Sequence, residues 1–365
     1  MKVAAFYHSL ASCWNHGNAH FLRGVATELI ERGHDVTVWE PADGWSATQL
    51  VAEQGPEALD AYRAAYPRLR GRRYDLARLD LDEALDGVGL VLVHEWSPPA
   101  LVARIGEHRD RTRGYTLLFH DTHHRSATAP AEMAAYDLRH YDGVLAFGAV
   151  VAENYLAHGW ARRVWIWHEA ADVRVFAPRA EPRTGDVVWV GNWGDDERTA
   201  ELHELLIEPV RRLGLRATVH GVRYPDDARA VLAGAGITYG GWLANHRVPE
   251  VFARHRVTVH VPRRPYAQAL PGIPTIRPFE ALACGIPLIS GPWRDDEQLF
   301  TAGIDYLVAR DGAAMQRHLR AVLADDDLAR ALARNGRATI LARHTCAHRV
   351  DELAAILRTL GREDL

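Results

Sequence analysis

Lysine is almost missing from this chain: of its 43 basic residues only Lys2 is lysine. A GxxxxGK[ST] loop is therefore excluded, because no lysine is available to reach the phosphates. Cysteine is scarce as well. Cys13, Cys284 and Cys346 are odd in number, far apart and without a CxxC pair, which speaks against a disulfide scaffold or a zinc ribbon and fits a reducing compartment. No apolar run approaches the roughly 18 residues of a membrane span. Met1-Lys2 runs directly into Val3-Ala4-Ala5-Phe6-Tyr7 without the apolar core of a signal peptide, so a cytoplasmic location is expected. There is no basic excess, the net charge being −4, and a nucleic-acid partner is not expected. GxGxxG and any 20 to 50 residue repeat are also lacking, which disfavours a classical dinucleotide fold and a solenoid.

What is present is enough apolar material for two cores: 365 residues, 48% of them hydrophobic. Strand-like and helix-like segments alternate. Val3 to His8 reads as a buried strand, Asn18 to Glu31 as a helix stopped by Gly33, and His34 to Trp39 as a second strand. Gly89 to His94, Tyr115 to His120, Gly143 to Phe147 and Val164 to Trp167 follow as strands. Residues 46 to 87 are rich in Ala, Arg, Leu and Asp and are expected to be helical. The proline-containing stretch "APRAEPRTG" breaks the pattern, which restarts with strand Asp186 to Val190, helix Glu197 to Leu213, and strands Arg216 to His220 and Val257 to Val261. Helical sequence runs from about 312 to 360. This alternation predicts an α/β chain with two Rossmann-like domains facing each other across a cleft: residues 1–170, a linker at 171–185, a second domain at 186–345, and a terminal helix at 346–365 that packs back toward the first domain.

Chemistry should lie beyond the carboxyl ends of the strands. "HSLASCWNHGNAHFLRG" follows the first strand and carries His16 and His20. "LLFHDTHHRS" concentrates His120, Asp121, His123 and His124 at another strand tip, where histidine beside a carboxylate suits acid–base work. The same cluster could hold zinc, although consecutive residues seldom all face one ion, and "HEWSP" and "HEAAD" lack the second histidine of HExxH. In the second half, the Gly191-Asn192 turn permits close backbone approach to a ligand.

The stretch 260 to 293 carries most. Arg263 and Arg264 leave a strand and enter a proline-rich loop, which returns to "RPFEALACGIPLISGPW". Pro278 suits a helix start and Gly285 a helix stop; Phe279, Leu282 and Ala283 form a buried face, and Glu280 falls in the first turn. A micromolar ligand requires about −8 kcal/mol, whereas a helix N-terminus supplies at most about 2. Charge-assisted hydrogen bonds of roughly 1.5–3 kcal/mol each are needed besides. Arginine beside a helix N-terminus points to a diphosphate there, with Glu280 accepting from ribose hydroxyls.

"RPFEALACGIPLISGPW" with "EQLFTAGIDYLV" resembles the donor-binding segment of GT-B glycosyltransferases, most closely the CgeB-like group. "HEAADVRVFAP" and "VGNWGDDER" resemble the interdomain motif and the start of the second domain in related enzymes. The likeness is specific over roughly 165 to 310. It implies transfer of a sugar, of hexosyl type, from a nucleotide-diphosphate donor to an unidentified acceptor. The implied donor set is Glu280, Arg263, Arg264, Gly191, Asn192, Arg277, Pro278 and Phe279, with His120, Asp121 or His16 as the base if configuration inverts. No metal and no cofactor beyond the nucleotide sugar is implied. Relatives often carry a glutamate where Gly272 stands here, and Asp295, Asp296 and Glu297 are the nearby acids. The rivals are a nucleotide-sugar epimerase of the same fold, a metal-dependent hydrolase built on His120 to His124, and a non-catalytic sugar-nucleotide sensor.

Overall fold

A computed structural model describes residues 1–362, the side chain of Asp195 excepted. The last three positions of the expected terminal segment lie outside the described residues. The chain divides into two compact units: Met1–Glu169 joined by the chain from Cys346 onward, and Ala170–Thr345.

The first unit holds seven parallel strands: β1 (Lys2–Phe6), β2 (Asp35–Pro41), β3 (Arg70–Tyr74), β4 (Val88–His94), β5 (Thr116–Asp121), β6 (Gly143–Ala146) and β7 (Val164–Ile166). They lie in the order β3-β2-β1-β4-β5-β6-β7. The central members read as near-continuous apolar runs because helices cover both faces of a parallel sheet; Leu90, Val91 and Val93 of β4 are fully buried. Helix Cys346–Thr359 packs on helix Ala19–Glu31 of this unit.

The second unit repeats the plan with β8 (Gly185–Val190), β9 (Ala217–His220), β10 (Ile237–Tyr239), β11 (His255–His260), β12 (Leu288–Ser290) and β13 (Leu307–Val308), in the order β10-β9-β8-β11-β12-β13. In both sheets the first strand of the unit therefore sits beside its fourth. Helix Asp326–Arg343 lies so close on helix Ile276–Cys284 that a Cβ at Gly336 would come within 2.5 Å of the Leu282 side chain.

Three differences from the sequence reading have physical causes. Residues 46 to 87 contain the helices Trp45–Gln54 and Glu57–Ala65, but also β3. Its first four residues are exposed, so no alternation marks it, and backbone pairing with β2 makes it a strand. Helix Glu197 to Leu213 is interrupted by a π-helical turn at His203–Ile207, just before Pro209, which has no N–H to donate into the ladder. The helix of the donor motif begins at Ile276 and not at Pro278. Pro278 still falls in the first turn, where a missing N–H costs no hydrogen bond, but Glu280 moves into the second.

Candidate functional site

In sheets of this order ligands bind outside the carboxyl ends, where the strand order reverses. In the second unit that point lies between β8 and β11. Arg198 fills it. Its guanidinium lies over the Trp189 ring at 5.0 Å, donates from one Nη to the Val261 carbonyl beyond β11 at 3.2 Å, and donates from the other to the Asn192 carbonyl beyond β8. Its Nε is shut away from solvent with no partner. Burial first, then the charges of Arg263 and Arg277, pull its pKa down to about 9. A guanidinium so held, where the backbone of two strands ends, favours an anion beside it.

The predicted donor residues divide around this centre. Arg263 pairs with Glu197 at 2.8 Å, and Arg264 with Glu201 at 3.1 Å, so these two guanidinium groups already have carboxylate partners. The Gly191 carbonyl accepts from the Tyr224 hydroxyl at 2.8 Å, and the Asn192 side chain accepts from the Val222 N–H at 3.1 Å; both residues hold the β8 and β9 loops together. A Cβ at Gly221 would meet the Gly191 carbonyl oxygen at 2.0 Å, so only glycine fits that crossing. Phe279 is buried against Phe300 and His344 and supports the helix from below.

Glu280 is fully buried. It accepts from the Asn245 amide at 2.8 Å and pairs with Arg277 one helical turn away. A first-turn position facing free N–H groups is thus replaced by a buried hydrogen-bonded pair. The helix opens instead on Thr275, a β-branched residue at φ 63°, in a region ordinarily left to glycine. Such strain costs about 1–3 kcal/mol and persists where the surroundings enforce it, often at ligand sites. The N–H groups of Ile276 and Arg277 follow, and Pro278 offers none. His260 at the tip of β11 faces Ser290 at 2.9 Å and is kept neutral, its pKa pushed to about 3 by burial and by Arg198 and Arg277. Gly272 sits at φ 89°, and a Cβ there would strike the Glu297 side chain. Asp295 accepts from the Leu299 and Phe300 N–H groups at 2.8 Å each, which makes it a loop brace. An open pocket of about 530 Å³ between the β8 and β9 loops, lined by Trp193, Thr199, His203, Arg223 and Tyr224 among others, includes none of the predicted donor residues.

The corresponding point of the first unit lies between β1 and β4, and its character is opposite. His94 and Glu95 at the tip of β4, and His120 and Asp121 at the end of the adjacent β5, are all fully buried. His94 Nε2 bonds the Thr122 hydroxyl at 3.0 Å, and that hydroxyl donates to Glu95 Oε1 at 3.3 Å. Burial raises the Glu95 carboxyl to about 8 against the partial relief of Arg125. Burial and the Glu95 charge raise Asp121 to about 7, while Asp121 accepts from the Tyr155 hydroxyl at 2.9 Å. His120 bonds the Tyr7 hydroxyl at 2.7 Å and is ringed by Phe21, His94 and Trp167. Burial, then the neighbouring His94, depresses its pKa well below the ordinary value, and its Nε2 is enclosed without a hydrogen-bond partner. His16, 6% exposed, lies tilted against the His8 ring at 3.7 Å and bonds the Ser9 carbonyl at 3.0 Å; it too is held neutral by burial. His20 is buried in helix Ala19–Glu31.

Sequence reading passed over Glu95 and Arg198. Each follows a quoted strand tip, in "HEWSP" and "GNWGDDER", but only the sheet order shows that these tips flank the reversal points. For the hydrolase reading, the His123 and His124 rings meet at a tilt, 4.0 Å apart. Among the described residues no three His, Cys, Asp or Glu side chains form a group that could hold a metal ion.

Structures of the same architecture are known. Sucrose-phosphate synthase from Thermosynechococcus elongatus superposes with a TM-score of 0.65 at 16% identity, covering 98% of each chain. A glycosyltransferase from Rickettsia africae gives 0.69 at 11% over 100% of this chain and 99% of its own. Anabaena HepE, solved in complex with UDP and glucose, gives 0.68 at 14% over 98% and 99%. The fold is GT-B. Residues 198–355 of this GT-B chain match the family model described as Glycosyl transferase-like, a stretch just under half its length that opens on Arg198. No curated protein sequence matches the chain.

Proposed function

We propose that this chain is a glycosyltransferase that moves a sugar from a nucleotide-diphosphate donor to an acceptor hydroxyl. The observation that carries the reading is the Arg198 guanidinium, held between the Val261 and Asn192 carbonyls over the Trp189 ring at the reversal point of the second unit. It is supported by the family match that opens on Arg198 and by HepE, whose structure holds UDP and glucose.

In this reading the diphosphate meets Arg198 and the N–H groups of Ile276 and Arg277, and it draws Arg277 from Glu280. The released Glu280 oxygen then accepts from the ribose. Arginine charge stabilises the nucleoside diphosphate as the sugar leaves. On the first unit Glu95 takes the acceptor proton through the Thr122 hydroxyl. The acceptor oxygen bonds to the anomeric carbon, the bond from that carbon to the phosphate oxygen breaks with its electron pair passing to the phosphate, and the proton ends on Glu95. A base of this kind serves a single inverting displacement. The nucleotide sugar is a co-substrate, no further cofactor enters, and hexosyl transfer is the preferred class.

Calorimetric titration with UDP, GDP and TDP tests the donor half. At least one is expected to bind, and Arg198→Ala to weaken it; equal affinity in parent and variant removes the assignment.

A further inference from the structure

Exposed tryptophan is costly, and this chain concentrates it. Of eleven tryptophans only Trp45 and Trp96, 53% and 46% exposed, lie open to solvent. Both sit at the carboxyl-end rim of the first sheet: Trp45 follows β2, and Trp96 follows β4.

Neither is a loose surface ring. Trp96 is backed by the Arg125 guanidinium at 4.3 Å and by the His123 edge at 5.0 Å. Trp45 stands edge-on against the buried Trp14 at 4.8 Å, whose indole N–H donates to Glu53 at 2.8 Å. The neighbouring Ser46 hydroxyl donates to the Trp14 carbonyl at 2.7 Å. The two indoles also belong to one strip. The backbone of Gly44, next to Trp45, lies so close to His8 that a Cβ there would come within 3.2 Å of its carbonyl oxygen, and the His8 ring is 6.2 Å from Trp96.

We infer that this strip from Trp45 across His8 to Trp96 binds an uncharged oligosaccharide as the acceptor. The inference rests on the glycosyltransferase reading and names its acceptor class. Preorganised indole faces suit the C–H-rich faces of sugar rings and lose little entropy on binding. Neutral imidazole edges between them suit hydroxyls, which donate and accept alike. An anionic acceptor is disfavoured: Arg125, which backs Trp96, is committed to that ring face, to the Glu95 carbonyl at 2.8 Å and to Glu132, and the enclosed groups beneath are carboxyls and neutral histidines. Two platforms separated by His8 call for more than one ring.

The test is fluorescence titration of the full chain with maltoheptaose, cellohexaose, xylohexaose and chitohexaose, with a short DNA duplex and UDP as further arms. At least one saccharide is expected to bind. Trp45→Ala and Trp96→Ala should each weaken it about tenfold or more, whereas the phenylalanine variants keep most of the affinity. Unfolding midpoints and UDP affinity should stay those of the parent. Absence of saccharide binding, saccharide affinity unchanged in both alanine variants, or tryptophan-dependent binding of the duplex in place of a saccharide overturns the proposal. Failure of UDP and the other nucleoside diphosphates to bind the parent would instead refute the donor reading, and the saccharide arm would still be decided by its own variants.

Discussion

The two units share one strand order and reverse it at the same place, yet the balance of charge there differs. At β8 and β11 Arg198 stands between strand-tip carbonyls, with other arginines paired to carboxylates; at the tips of β4 and β5 stand buried carboxyls with raised pKa and neutral histidines. A shared fold fixes where a ligand can sit and says nothing of its charge, which is decided by the few side chains placed just beyond the strand tips. The arginine-filled point suits a leaving group that gains negative charge, and the carboxyl-filled point suits a group that gives up a proton.

The contrast is most exposed to test at Glu95. Glu95→Gln is expected to slow transfer roughly a hundredfold or more and to leave nucleoside diphosphate affinity as it was; a rate within a factor of three of the parent would break the assignment. In the parent, transfer should climb as pH rises through about 8, since a proton acceptor must be ionised. Stability moves the other way. Both carboxyls hold protons more tightly folded than unfolded, so their contribution is complete below the ordinary carboxylate range and is lost as pH rises through about 7 and 8. Melting temperatures across that window should fall with pH in the parent and fall less in Glu95→Gln.

Next in size is Glu280→Ala, which removes the carboxylate beside Arg277 and the acceptor of the Asn245 amide hydrogen bond. A loss of about 3 kcal/mol is expected in denaturant unfolding, with Glu280→Gln milder because it can still accept from Asn245. An alanine variant as stable as the parent would show the pair to be ornamental. Arg198→Ala should weaken nucleoside diphosphate roughly 10- to 150-fold, the worth of one charge-assisted hydrogen-bonded contact, without changing saccharide affinity in the first unit. Smallest of all, His124→Ala should shift stability by no more than about 0.5 kcal/mol and leave transfer intact, since the hydrogen bond of His124 to Thr128 at 2.7 Å stays within one short turn.

How much of this was legible in the residues alone varies with the kind of signal. Apolar runs such as Val3 to Phe6 and Gly89 to His94 announced the buried strands, because burial on both faces leaves a continuous mark. Arg70–Tyr74 left none, because an edge strand with exposed side chains is held by backbone bonds that any residue can make. The donor motif announced its helix and its stop at Gly285, but placed the start two residues late, since nothing in a threonine foretells φ 63°. At the sites, histidine-rich wording drew attention to His120 and His16, which burial has neutralised, and away from Glu95. The value of Glu95 comes from its enclosure and its neighbours in the sheet, and both are properties of long-range packing.

Where the chain passes from one unit to the other has a practical meaning. Ala171 bridges to Thr345, and its N–H reaches the His344 carbonyl at 2.9 Å, so the entry and the exit of the second unit lie side by side. The arginine-bearing module is thus one uninterrupted stretch with its ends already fastened, the arrangement under which a segment can be excised or grafted between related genes with the fewest torn contacts.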